Sequence, residues 1–220
     1  MSNFKYKKSE FIDLNISKKV IKEEFGNPDE ELDMTGDNTL ELAPAEPEFE
    51  QPSEEVVSDN LYKLSDETIQ ELTERLKDEY SAHYFYRNAA NWCRDANYKK
   101  AAVFFDAEAD TELVHAKGLQ DYITDFNISP VLQTTETNQV FHSLVEIIKG
   151  AYKLELDLML AYNATSMKLF GSDLTTFDFL TSYRDGQKES VVEYNDLINA
   201  LDLIDQNDNF QILYFEQTYM

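Results

Sequence analysis

Five side chains with metal-binding chemistry are set at helical spacing within apolar stripes: Glu79, Glu112, His115, Glu155 and Gln187. Glu79, Glu112, Glu155 and Gln187 each follow a core-type residue by seven positions: Leu72, Phe105, Ile148 and Leu180 respectively. Seven residues is nearly two helical turns, so each polar group points where the apolar face points. A buried, unpaired carboxylate costs on the order of several kcal/mol, and every further one adds repulsion. A bound cation, or a pair of them, is the simplest compensation. Glu112 and His115 form an E-x-x-H pair that offers an oxygen and a nitrogen ligand from one helix face. Alone, that pair arises often by chance on solvated helices. Bundles that hold two metals between carboxylates use a Glu from each of two helices and an E-x-x-H from each of the other two. This chain keeps one such pair; its last long helix carries Gln187-Lys-Glu-Ser190 instead.

The elements that must position these residues follow from local punctuation. Ser65 is placed to cap a first helix, with Asp66 and Glu67 in its first turn, running to about Cys93. A short polar break over Arg94–Asn97 implies an antiparallel neighbour, expected from about Tyr98 to Phe126. The stretch Asn127–His142, with Pro130, is long enough to cross from one end of a bundle to the other. Ser143 and Glu146 make a capping-box pattern for a third helix ending at a Gly171 C-cap. Asp173 caps a fourth helix expected to reach about Ile204, and NFQILYFEQTYM suits a short fifth. No strand-period alternation competes. The fold class is therefore all-α: two helical hairpins joined by a long crossover. Glu79 to Glu112 is 33 residues and Glu155 to Gln187 is 32, so two hairpins packed face to face bring the polar positions to one level.

Composition narrows the rest. The 220-residue chain carries a net charge of −24, which disfavours nucleic acid and anionic membrane as partners and favours cations. Solubility alone is the plain alternative reading of that charge. From Gly26 to Asn60 there are twelve acidic residues, no Lys or Arg, and Pro28, Pro44, Pro47 and Pro52. Such a segment buries too little apolar surface to offset ordering entropy, so residues 1–60 are expected to be a largely disordered acidic arm, with residues 1–25 a docking peptide or a plain flexible terminus. The bundle domain is expected over 61–220. The lone Cys93 excludes an internal disulfide framework, and no apolar run is long enough to span a bilayer. The N-terminus lacks the apolar core of a signal peptide, so a cytoplasmic location is expected.

From Leu72 to about Leu201 the chain resembles a non-haem ferritin. The first helix carries EYSAHYFYRNAANWC and the second YKKAAVFFDAEADTELVHAKGLQDYITD, which follows the family's AA-x-F-F…E-x-x-H-A-x-x-L…Y pattern. The third has YKLELDLMLAYN, and the fourth TFDFLTSYRDGQKES against the familiar FNFL-x-x-Y…Q. The resemblance implies a ferritin-like four-helix bundle with one ferroxidase centre. Glu79, Glu112 and His115 would hold a first iron, Glu155 and a bridging Glu112 a second, and Gln187 would bond to bound water or oxygen. Tyr86, seven residues after Glu79, would be an electron donor or hydrogen-bond partner; the alternative is a core phenol with its hydroxyl satisfied.

Departures from the family pattern matter as much. Gln187 and Ser190 replace the second E-x-x-H of bacterioferritins, and Leu113 stands where their haem-binding Met would be, so no haem is expected. Thr111, Gly186 and Ser190 occupy positions that supply a third iron site in many prokaryotic ferritins, which leaves that site doubtful. Glu108 is a candidate transit ligand or an ion-paired surface acid; His83 is a candidate second-layer group or a packing histidine; Asp178 is a candidate pore residue. His142 reads as a surface residue.

The resemblance implies an iron-storing ferroxidase that uses Fe(II) with O2 or H2O2 and assembles as a 24-subunit homo-oligomeric shell. Two alternatives stand beside it. One is a structural or cargo protein tethered to a partner through its N-terminal arm; the other is a di-iron oxidase that stores nothing.

Overall fold

The computed structural model describes residues 61–220; the acidic arm expected over 1–60 lies outside the described residues. Six helices follow one another: α1 (Asp66–Asp95), α2 (Lys99–Asp125), α3 (Leu144–Leu169), α4 (Leu174–Phe179), α5 (Thr181–Leu201) and α6 (Asn209–Tyr219). No strand occurs among the described residues, and none of the helices is long and apolar enough to cross a membrane. α1, α2, α3 and α5 form a four-helix bundle, and α6 is the short C-terminal helix expected from the tail.

The helix starts are written in side chains. Ser65 Oγ accepts from the Thr68 N–H at 3.1 Å, and Ser143 Oγ accepts from the Glu146 N–H at 3.0 Å. Glu146 Oε2 in turn accepts from the His142 N–H at 2.8 Å, so the box pattern closes one residue early. Asp173 caps α4 through the Thr176 N–H at 3.0 Å. α2 has no cap of its own: Tyr98 makes no side-chain cap bond. Its first amide donors go instead to Glu216 of α6, whose Oε1 accepts from the Lys100 N–H at 2.6 Å and the Ala101 N–H at 3.1 Å. The fully buried Glu216 carboxylate therefore ties the C-terminal helix to the start of α2.

The helix ends depart from expectation. Gly171 is not the residue that stops α3 in a left-handed turn, because no described glycine has a positive φ; Phe170 is the C-cap. Asparagines take that conformation at the ends of the first hairpin, Asn97 at φ 66° and Asn127 at φ 58°. At Asn97 the bonds Tyr98 N to Cys93 O (2.8 Å) and Asn97 N to Arg94 O (3.2 Å) make a Schellman turn into α2. The single fourth helix expected over Asp173–Ile204 is broken at Leu180 into α4 and α5, and α5 ends at Leu201. Beside that break the Arg184 guanidinium bonds the Phe177 carbonyl at 3.1 Å and lies over the Phe177 ring, a side chain inserted where the ladder bends.

α1 and α3 run antiparallel: Arg75 bonds Ala161 O and Thr165 Oγ1, whereas Tyr86, eleven residues later, bonds Glu155. α5 opposes α3 in the same sense, with Arg184 on Ser166 and Gln187, three residues later, on Glu155. The crossover returns along α1, held by Ser81 to Thr135 and by Asn88 Nδ2 to Thr137 O (2.8 Å). Leu72, Phe105, Ile148 and Leu180 are all fully buried, so the four helices do turn the chosen faces inward.

Candidate metal centre

Glu79 of α1, Glu112 of α2, Glu155 of α3 and Gln187 of α5 are all buried at one region of the bundle interior, with none more than 2% exposed. Each shares its helix face with the core residue seven positions earlier, which is why a charged side chain points inward at all. His115, one turn after Glu112, is half-buried and completes the group. Glu79, Glu112 and His115 each bring one ligand atom to within 4.8 Å of the others. His115 Nδ1 lies 3.0 Å from Glu112 Oε2 and 3.5 Å from Glu79 Oε2. Ligand atoms about 2.0–2.2 Å from one metal ion sit about 3.0–3.5 Å apart, so these separations suit a shared ion. Glu79 Oε2 is also buried without a hydrogen-bond partner. An orphaned carboxylate oxygen beside an imidazole nitrogen and a second carboxylate is what a cation would satisfy.

On the opposite side, Glu155 Oε1 accepts from the Tyr86 hydroxyl. With its amide oriented by the hydrogen-bond network, Gln187 donates to Glu155 Oε2 at 2.9 Å and to the Glu155 carbonyl at 3.3 Å. Sequence reasoning missed Tyr162, whose hydroxyl donates to Glu79 Oε1. The spacing that pointed to Tyr86 was available for it too, since Tyr162 follows Glu155 by seven residues as Tyr86 follows Glu79.

The charges in this interior are shared unevenly. Burial pushes Glu112 well up, and the Glu79 charge adds to it. Burial also opposes ionisation of Glu79, but the neighbouring His115 and Glu112 groups and the Tyr162 hydroxyl outweigh it and hold Glu79 low. For His115, burial works against the cation, yet the two carboxylates dominate and raise it to about 10. Burial raises Glu155 to about 8, against the Tyr86 bond and aided by the charges of Glu108 and Glu79. Near neutral pH His115, at about 10, is thus protonated and Glu155, at about 8, mostly neutral, while Glu79 and Glu112 shift in opposite directions, down and up.

The remaining candidates lie apart from this group. His83 Nδ1 pairs with the Ala109 carbonyl at 2.6 Å, a link between α1 and α2. Glu108 is half-buried, and its charge acts on Glu155 and Tyr86. Thr111 and Asp178 are exposed, Gly186 and Ser190 half-buried, and His142 is an exposed cap residue. Leu113 is 44% exposed, outside the centre.

Comparison with known proteins decides the family. The family model for the ferritin-like domain matches residues 69–204. The chain belongs to the ferritin-like family. A bacterial non-heme ferritin of Staphylococcus epidermidis is 30% identical over 153 residues, covering 69% of this chain and 92% of that protein. The bacterial non-heme ferritin of Campylobacter jejuni is 28% identical over 148 residues, covering 66% and 89%. Among solved structures, the open-pore ferritin of Archaeoglobus fulgidus superposes with a TM-score of 0.67 at 19% identity, covering 71% of this chain and 98% of that one. A Chlorobium tepidum ferritin gives a TM-score of 0.63 at 24% identity over 70% of this chain. These two likenesses concern the fold. All five residues of the polar cluster lie within the matched span.

Proposed function

We propose that this chain is a ferroxidase ferritin: it binds two Fe(II) in the bundle interior, transfers their electrons to O2 or peroxide, and stores the ferric product in a homo-oligomeric shell. The observation that carries the reading is the convergence of Glu79, Glu112 and His115 on one buried point, with Glu155 and Gln187 facing them. Membership in the ferritin-like family and the relatives named bacterial non-heme ferritins support iron as the metal.

Iron is here the substrate. Glu79, Glu112 and His115 hold the first Fe(II); Glu112 and Glu155 hold the second, with Gln187 donating its amide to whatever oxygen is bound there. Hard oxygen ligands with a single imidazole suit iron, and the low ligand count leaves positions open. Two Fe(II) supply two electrons, so O2 leaves as hydrogen peroxide with two protons taken up from solvent, each iron being left as Fe(III). Tyr86, hydrogen-bonded to Glu155, holds that carboxylate and is placed to act as an electron donor. The second iron has no imidazole and is the more weakly held. The cytoplasm is the expected compartment, and any partner of residues 1–60 belongs to the same proposal only as a tether.

The test is Fe(II)-dependent oxygen consumption in the full chain against Glu112→Ala. Equal consumption by both would remove the enzyme reading. Turnover that stopped at two irons per chain would remove storage, and a monomer by light scattering would remove the shell.

A further inference from the structure

α1 and α3 each carry a glutamate followed seven residues later by a tyrosine: Glu79 with Tyr86, and Glu155 with Tyr162. Seven residues advance a helix by about 10.5 Å on nearly the same face. Because the two helices are antiparallel, each tyrosine arrives level with the other helix's glutamate. Tyr86 donates to Glu155 Oε1, and Tyr162 donates to Glu79 Oε1. Both phenols are fully buried.

The two pairs do not have equal consequences. On Glu155 the second oxygen is also taken, by Gln187. On Glu79 the second oxygen, Oε2, has no partner and lies 3.5 Å from His115 Nδ1. Tyr162 is itself held in place. Its ring stacks on Tyr183 at 5.4 Å and 25°, and the Tyr183 hydroxyl donates to the His115 carbonyl at 3.1 Å. Gly118 makes room for that contact, since a Cβ there would stand 2.5 Å from the Tyr183 oxygen. Glu79, Tyr162, Tyr183 and His115 therefore form one connected brace around the first set of ligands.

We propose that Tyr162 is a positioning residue of the centre: by occupying Glu79 Oε1 it limits Glu79 to coordination through Oε2 alone, which keeps a coordination position on the first metal open. This rests on the metal-site reading above. A carboxylate oxygen that accepts a buried hydrogen bond has one lone pair engaged and its direction fixed by the donor, so it is the poorer ligand of the two oxygens. Without the hydroxyl, both Glu79 oxygens are available, and Glu79 chelates.

Cobalt(II) added anaerobically to the full-length metal-free protein reads this directly, because its visible band weakens as coordination rises from four to five. With one equivalent of cobalt, Tyr162→Phe is expected to lose band intensity per bound cobalt relative to wild type while the helical circular dichroism is kept. Tyr162→Met, which also lacks the hydroxyl, should show the same loss, whereas Tyr86→Phe should act on the second cobalt instead. The unsubstituted protein gives a reading that needs no variant to fold. On adding one equivalent of zinc, infrared difference spectra should show the wide carboxylate splitting of one-oxygen coordination. Wild-type band intensity in both Tyr162 variants, or only the narrow splitting of chelating carboxylates in the wild type, would overturn the proposal. A wild-type protein that bound no cobalt would overturn the metal-site reading beneath it, which is a separate outcome.

Discussion

Filling the centre with two dications should expel at least about two protons at pH 7, one each from Glu155 and His115. Burial and the Glu79 charge push Glu112 well up too, so it adds to that release. Glu155, at about 8, is about nine-tenths protonated at pH 7, and His115, at about 10, is fully so. A metal needs ionised carboxylates and a neutral imidazole, so each proton must leave. By pH 9 Glu155 is already mostly ionised, and the release should fall by about one. Accordingly the logarithm of the overall binding constant for two metals should climb more steeply with pH near 7 than near 9, by about one more per pH unit. Zinc, which is redox-inert, is the probe. Calorimetric titrations in several buffers that do not bind zinc give the proton count as the dependence of heat on buffer ionisation enthalpy. Glu155→Gln should lower the count at pH 7 by about one, which separates the protein's protons from any lost by metal-bound water. A count of one or fewer in the wild type at pH 7 would refute the charge assignment of the metal-free centre.

Three further outcomes follow from named contacts. The metal-free protein should lose stability as pH rises, because raised folded-state values favour the protonated forms. That contribution is complete below about 4.5 for Glu155 and about 6.5 for His115, and is lost as pH passes through about 8 and about 10. Glu155→Gln should consequently raise metal-free stability at pH 9 by on the order of 3 kcal/mol in urea unfolding, while weakening the second metal; a Tm independent of pH from 6 to 10 would contradict this. Glu216→Ala leaves the Lys100 and Ala101 amides at the start of α2 without their acceptor, and should cost about 1–3 kcal/mol with early exchange of those amides. Gly118→Ala places a methyl 2.5 Å from the Tyr183 hydroxyl, so it should break the bond to the His115 carbonyl and lower first-metal affinity in zinc calorimetry; unchanged affinity would make that brace irrelevant.

Much of this arrangement was legible in the sequence, and for a definable reason. A helix interior repeats at a fixed period, so Leu72, Phe105, Ile148 and Leu180 mark the inward face and the polar residue seven places on inherits it. The caps at Ser65 and Ser143 were equally local and appear as expected. What depended on distant partners was not legible. Gly171 looked like a helix stop, but the chain turned on Asn97 and Asn127, whose short polar side chains tolerate the left-handed region. The α4–α5 break came from Arg184 reaching back to Phe177 rather than from any breaker residue. The cap on α2 came from Glu216, more than a hundred residues away, and nothing near Tyr98 announces it.

The spacing that made the centre readable also explains why one tyrosine was noticed and the other was not. Tyr86 falls on the same helix as Glu79, so the eye assigns it to Glu79, yet its hydroxyl serves Glu155. Tyr162 belongs to Glu79 by the same crossed logic. The crossing is forced by antiparallel packing: a residue two turns beyond one carboxylate is level with the opposite helix's carboxylate only when the helices run in opposite directions. Within this reciprocal frame the remaining ligands are unequal, because α2 brings Glu112 with His115 while α5 brings only Gln187, which spends its amide on Glu155. Symmetric bracing of an asymmetric ligand set leaves one buried oxygen, Glu79 Oε2, with nothing to bond. The metal-free fold keeps that unmet acceptor at the point where His115 and Glu112 also converge, so on the proposed function the first cation to arrive is expected to bind there rather than at Glu155.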